Sequence, residues 1–179
     1  MGANSDLVII EGNANSPTSA PRTKGFLDAI AQKSVFYQRQ TAHDIFKKIM
    51  SQHTKIDGVL SANDFMALGV IDAMGAADKE IPIVGVNAMP LAIDAIKEGK
   101  LKASAAFDAM KIACASTLAA FRILEGKTVP SQIYLPVDIV YDQDCAAWDL
   151  PYQERALICW DEVIGNKIQH DTTSRIYGK

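Results

Sequence analysis

The sequence predicts an α/β fold built on a parallel, doubly wound sheet. Two observations carry this reading. Short apolar runs alternate with helical periods over roughly the first hundred residues, the pattern of strands joined by crossover helices. The runs are also continuous rather than alternating, as strands covered on both faces are.

The first strand reads over Leu7–Glu11, and a weak helical period follows over Arg22–Gln32. Val35–Arg39 reads as the second strand. Ala42, Ile45, Phe46, Ile49 and Met50 then fall at i, i+3, i+4, i+7 and i+8, one buried helical stripe. Gly58–Ala62 is the third strand. The helix Phe65–Ala76 carries Ala67, Val70, Ile71 and Met74 on one face and opens at Asn63-Asp64, both N-cap types. Asp64 is the expected cap of the two. Ile83–Val86 and Ala103–Phe107 are the last two strands. Between them Pro90–Glu98 is helical, with Pro90 in its first turn and Gly99 closing it.

The rhythm changes after Phe107. Asp108–Glu125 reads as one long helix ended by Gly126, and Gln132–Tyr141 as a strand pair broken by Pro136. From Asp142 the composition is irregular, and Gln169–Lys179 is polar enough to fray. The expected organisation is a lobe over residues 1–107, a helix with strands over 108–141 and a tail over 142–179.

Composition excludes several classes. Of 179 residues, 49% are hydrophobic and 22% charged, so the chain buries a core and is neither disordered nor a simple repeat. A net charge of −3 gives no positive field for nucleic acid. The three cysteines, Cys114, Cys145 and Cys159, form no CxxC pair, which argues against both a disulfide framework and a zinc site. No run is apolar for long enough to span a bilayer. Met1–Asp6 has no basic stretch and the apolar run Leu7–Ile10 has only four residues, so no secretory signal is read.

In an open parallel sheet, ligands bind beyond the carboxyl ends of the strands. Those ends bring Asn13, Tyr37, Asn63, Asn87 and Phe107 together with Arg22 from a helix start. No nucleophile–base set, paired-histidine motif or phosphate-cradling glycine loop accompanies them, which weighs against an enzyme and against a nucleotide cofactor. Asn completes the donor–acceptor pair of a hydroxyl, Arg offers a fixed fork of donors, and an aromatic face covers the C–H surface of a sugar. The inventory describes binding of a neutral, hydroxyl-rich ligand. Each residue also has a plainer role: Arg22 a solvated charge, Tyr37 an edge residue, Asn63 a cap, Asn87 a turn and Phe107 packing. His43 and His53 read as exposed helix positions.

Ala62-Asn63-Asp64-Phe65-Met66-Ala67-Leu68-Gly69 and Ile83-Val84-Gly85-Val86-Asn87-Ala88-Met89-Pro90 resemble periplasmic sugar-binding proteins of the ribose-binding type, the receptors of ABC importers. Arg22-Thr23-Lys24-Gly25-Phe26, Lys97–Ala103 and Leu124–Lys127 carry further similar motifs, so the likeness runs from about Leu7 to Tyr141. It implies one lobe of a type I periplasmic-binding-protein-like fold. It covers only the second of two lobes, so the chain is expected to be a fragment, natural or truncated. A periplasmic location would follow, with the signal peptide outside this chain.

The resemblance also implies roles. Arg22, Asn63 and the aromatic Tyr37 fall at sugar-contacting positions. Asn87 stands where an aspartate is usual, and Phe107 where a polar group often reaches the ligand from the hinge. An amide for a carboxylate and a ring for a hydrogen-bonder make ribose less apt than a linear polyol or a less polar sugar. The implied partners are that small molecule and the importer's membrane subunits, with no nucleic acid and no cofactor. The competing reading is the effector-binding core of a lac-repressor-type transcription regulator, which shares the fold. It would show a helix-turn-helix upstream and a "T-x-x-x-Q-P"-like stretch where this chain has Ser104–Met110.

Ile112, Cys114, Leu118, Ala119, Phe121 and Ile123 put apolar surface on more than one stripe of the long helix. Either the tail with Trp148, Tyr152 and Trp160 covers it or a second copy does. A symmetric pair covers two identical patches at once, so a homodimer is expected.

Overall fold

Five strands pair side by side in the order in which the chain lays them down. They are β1 (Leu7–Ile10), β2 (Gly58–Ser61), β3 (Ile83–Val86), β4 (Ala103–Ala106) and β5 (Asp138–Val140). The computed structural model describes residues 6–13, 16, 21–22, 24, 37–75, 81–142, 145–151 and 154–155. β1 to β4 are parallel, with Leu7 opposite Gly58, Val59 opposite Ile83 and Val84 opposite Ala103. Parallel neighbours need crossovers, and α1 (Arg39–Gln52), α2 (Asp64–Met74) and α3 (Pro90–Lys97) lie between the strands in sequence.

Phe46 of α1, Met66 and Val70 of α2, and Ile93 of α3 are buried together with Ile10, Val59 and Ile83 of the sheet. Full burial of such side chains stabilises by roughly 1.5–3 kcal/mol each. α1 and α2 approach closely because Gly69 has no side chain: a Cβ there would stand 2.1 Å from the Arg39 carbonyl oxygen. Arg39 also donates from Nε and Nη2 to the two oxygens of Asp72, at 2.6 and 2.9 Å. That fork lies in solvent and adds geometric definition more than energy.

The chain divides into two compact units. One comprises the residues up to Ala106 with Ile139–Asp149; the other comprises Phe107–Asp138 with the residues from Leu150. In the first, α5 (Cys145–Trp148) contacts α3, Lys97 pairs with Asp149, and Trp148 packs against the core. In the second, α4 (Ala109–Leu124) is the main element. Asp108 caps it, accepting from the Met110 and Lys111 amides at 3.1 and 3.3 Å. An apolar groove of about 490 Å³ runs between α4 and residues 129–136, lined by Phe107, Ile112, Ala115, Ile133 and Leu135 among others.

Several boundaries differ from the sequence reading. Arg39 opens α1 rather than ending a strand, with Gln38 extended immediately before the first turn. Tyr37 lies in a bend, and the rest of the strand read over Val35–Arg39 lies outside the described residues. So does most of the helix read over Arg22–Gln32, of which Arg22 and Lys24 are described and helical. Only Asp138–Val140 of the strand pair read over Gln132–Tyr141 makes a ladder; residues 132–137 form none, and Pro136 has no N–H to donate there. α2 stops at Met74, where Gly75 takes φ +55°. His43 is half-buried rather than exposed and sits 2.8 Å from the Asp44 carboxylate.

Candidate functional site

The carboxyl ends of β2 and β3 are joined by one side chain. Arg22 donates from Nη1 to the Ala62 carbonyl at 3.1 Å, just past β2, and from Nη2 to Asn87 Oδ1 at 3.4 Å, just past β3. A cation in the first turn of a helix opposes the helix dipole, so its place is explained by these acceptors rather than by its own helix. Asn63 follows Ala62 directly. Arg22, Asn63 and Asn87, three of the five residues to which the resemblance gives a role, therefore share one edge of the sheet.

Asn63, not Asp64, caps α2. Its backbone is extended (φ −155°, ψ 169°), and its Oδ1 accepts from the Met66 amide at 2.9 Å. The Asn-Asp pair is ambiguous in sequence because both types cap; the residue that keeps extended backbone before the first turn takes the role. With Oδ1 committed to the cap, the hydrogen-bonding group left on Asn63 is its NH₂, a donor.

Asp64 instead sits one residue into α2, fully buried, and faces the loop after β3. Its Oδ2 accepts from the Met89 amide at 2.9 Å and its Oδ1 from the Ser104 hydroxyl at 2.7 Å. Ser104 Oγ in turn accepts from the Ala88 amide at 3.0 Å. Gly85 makes room for the carboxylate, since a Cβ there would stand 2.2 Å from Oδ1. The loop so held is strained: Asn87 has φ +122° and Ala88 φ +51°, a region L residues seldom adopt. Burial pushes the Asp64 carboxyl above its ordinary range; the amide and hydroxyl hydrogen bonds and the charge of Arg22 pull the other way without cancelling that.

Tyr37 lies at the end of β1. Its ring occupies the space above Gly12, where a Cβ would come within 1.9 Å of Cζ. Ile10 is opposite Ser61 in the ladder, so Gly12 leaves the sheet level with Asn63. An aromatic face is thus set at the same edge as the three polar residues. Phe107 groups with the second unit, where it lines the groove along α4. Sequence reasoning passed over Gly12, Gly85 and Ser104 and gave Asp64 a different task; the Asn-Asp pair was the available signal, and Ser104 in the run Ala103-Ser104-Ala105-Ala106 gave none. Among the described residues no three His, Cys, Asp or Glu side chains come together to hold a metal ion.

Comparison with known proteins identifies the family. A periplasmic binding protein domain model matches residues 1–128. The ribose import binding protein of Haemophilus influenzae is 28% identical over 147 residues, covering 78% of this chain and 50% of that protein. The ribose import binding protein of Bacillus subtilis is 27% identical over 146 residues, covering 78% and 48%. Among solved structures, an ABC transporter solute binding protein from Bacillus halodurans with bound myo-inositol superposes with a TM-score of 0.73 at 25% identity, covering 80% of this chain and 54% of that one. A periplasmic solute binding protein from Actinobacillus succinogenes with bound D-allose shares the fold at a TM-score of 0.74 and 24% identity, covering 79% and 54%. The chain spans about half the length of the relatives it matches. It belongs to the periplasmic binding protein domain family.

Proposed function

We propose that the chain supplies one lobe of a solute-binding receptor of an ABC importer, and that its sheet edge takes a neutral sugar or polyol. The observation that carries this is the Arg22 fork between the Ala62 carbonyl and Asn87, which sets two amide side chains and a guanidinium on one face beside the Tyr37 ring. Asn63 NH₂, the Asn87 amide and Arg22 then hydrogen-bond ring or chain hydroxyls, and Tyr37 covers their C–H face. Phe107 serves packing in this reading and touches no ligand. The role is binding, without catalysis and without a cofactor. Two relatives are ribose import binding proteins by name, and a solved ABC transporter solute binding protein holds myo-inositol, which favours this reading over a transcription regulator. A periplasmic location and docking to importer membrane subunits belong to the same reading.

One lobe supplies half of such a site, so the affinity of this chain alone is expected to be weak, in the millimolar range, about −4 kcal/mol. Titration with D-ribose, D-allose and myo-inositol, followed by NMR, tests this. Shifts confined to the side chains of Arg22, Tyr37, Asn63 and Asn87 are expected. Absence of shifts with every one of these ligands overturns the receptor reading, and micromolar or tighter binding overturns the half-site.

The same proposal includes a homodimer. Eight of the thirteen large apolar side chains that stand exposed among the described residues lie between Met110 and Val137, within the second unit, Phe121, Ile123 and Leu124 being 61%, 63% and 83% exposed. A second copy seated on this face covers it symmetrically.

A further inference from the structure

We infer that Asp64 and Ser104 are positioning residues that set the Asn87 amide at the ligand edge by bracketing the strained loop after β3. The inference deepens the sugar-receptor reading and rests on it for what Asn87 does.

The loop from Asn87 to Met89 has no regular structure to hold it. It leaves β3 with two successive residues at positive φ, neither of them glycine. Left to itself such a segment relaxes, since positive φ is strained for any residue but glycine. Three contacts oppose relaxation. The Asn87 amide donates to the Ala105 carbonyl at 2.8 Å, the Ala88 amide to Ser104 Oγ, and the Met89 amide to Asp64 Oδ2. Every successive N–H of the loop therefore has its own acceptor, two of them on buried side chains from different elements. Ser104 transmits the hold, because its hydroxyl donates to Asp64 Oδ1 while its oxygen accepts from Ala88.

What the bracket fixes is direction. In this backbone conformation Asn87 Oδ1 meets Arg22, and the NH₂ on the same planar amide group is oriented with it. A carboxylate and a hydroxyl carried by α2 and β4 thus determine where a residue of the intervening loop points. Neither contacts the open edge itself, both being fully buried.

The test uses the whole chain and needs no ligand for its main arm. Ser104→Ala removes the acceptor for Ala88 and the donor to Asp64; Asp64→Asn puts an NH₂ where one of the two donors must be accepted. Amide hydrogen exchange and the Asn87 side-chain NH₂ resonances are read in each variant. In both, exchange at Ala88 and Met89 is expected to accelerate about tenfold or more while the Val59 and Leu60 amides of the β2 ladder keep their protection, with the Asn87 NH₂ signals moving to solvent-like positions. Unchanged exchange at Ala88 and Met89, or acceleration spread equally over the ladder, overturns the positioning role. D-allose and myo-inositol at millimolar concentration form the second arm. If the loop loosens as described but no sugar perturbs the unsubstituted chain, the bracket stands and the sugar-receptor reading falls.

Discussion

Arg22 and Asn87 stand 65 residues apart in sequence, yet the guanidinium of one reaches the side-chain oxygen of the other at 3.4 Å across the end of the sheet. The distance is long for a hydrogen bond and the acceptor is neutral. Arg22 is therefore placed by two uncharged oxygens, Asn87 Oδ1 and the Ala62 carbonyl. Contacts of this kind orient a guanidinium through its fixed fork of donors.

Asn87→Asp follows from that relationship. A carboxylate turns the contact into a charge-assisted one, shorter and about twice as strong, and Asp tolerates positive φ nearly as well as Asn. Thermal unfolding of the variant is expected to show a gain of about 0.5–1 kcal/mol at low salt that shrinks as salt is added. A gain independent of salt, or none, would show that the guanidinium is not the partner that matters here.

Gly12→Ala probes the aromatic end of the edge. The added methyl meets the Tyr37 ring at 1.9 Å, so the ring must leave its seat. Overpacking of this kind costs roughly 1–3 kcal/mol. Tyr37→Ala alone loses the ring's burial, but with the ring gone the methyl finds room. The double variant is thus expected to be less destabilised than the sum of the two single changes, by more than about 0.5 kcal/mol in denaturant unfolding. Additive losses would place the clash elsewhere.

Asp64 gives a pH dependence of known sign. Its carboxyl is raised above 3.8 in the fold, so the folded chain holds that proton more tightly than the unfolded one. Stability from this group is greatest below the ordinary carboxylate range and is lost as pH climbs from that range to the raised folded value. Asp44, Asp57, Asp72 and Glu125 are lowered by their partners and act oppositely, losing stability as pH falls. Comparing the chain with Asp64→Asn cancels those four. The stability of the unsubstituted chain relative to the variant is expected to fall with rising pH through that window and to be flat on either side. A rise instead would mean that the hydrogen bonds outweigh burial.

The sheet was legible because each parallel strand is a short apolar run and each helix announces its period. Phe46, Ile49, Val70 and Ile93 are buried where that periodicity puts them. Asn63 and Asn87 were legible as residues at strand ends and Arg22 as one at a helix start, and Arg22 bonds Ala62, next to Asn63, and Asn87. The Asp64–Ser104 contact was not. It spans 40 residues, and nothing near Ser104 in sequence distinguishes it from a small strand residue. The partner that Asp64 finds in the Met89 amide was likewise hidden, because that amide lies 25 residues away in sequence. Residues 132–137 misled for a local reason: Ile133 and Leu135 alternate like a strand, but their side chains line the groove along α4 and the segment makes no ladder.

α4 carries the last prediction. Only Ala115 of its sixteen residues is buried, while Met110, Ile112, Leu118, Phe121, Ile123 and Leu124 are all exposed. Exposed apolar patches on monomers rarely exceed roughly 300–600 Å². Few charges interrupt this one: Lys111 and Arg122 are the only charged residues within the helix. A self-associating face of this composition is held by burial of its largest ring and sensitive to a charge placed there. Phe121→Glu leaves the core untouched, because the ring is already in solvent, so folding is expected to be unchanged within about 0.5 kcal/mol. Sedimentation of the unsubstituted chain at tens of micromolar is expected to give a dimer, and the variant a monomer. If both sediment as monomers, no second copy covers α4; if both sediment as dimers, the copies meet on another face.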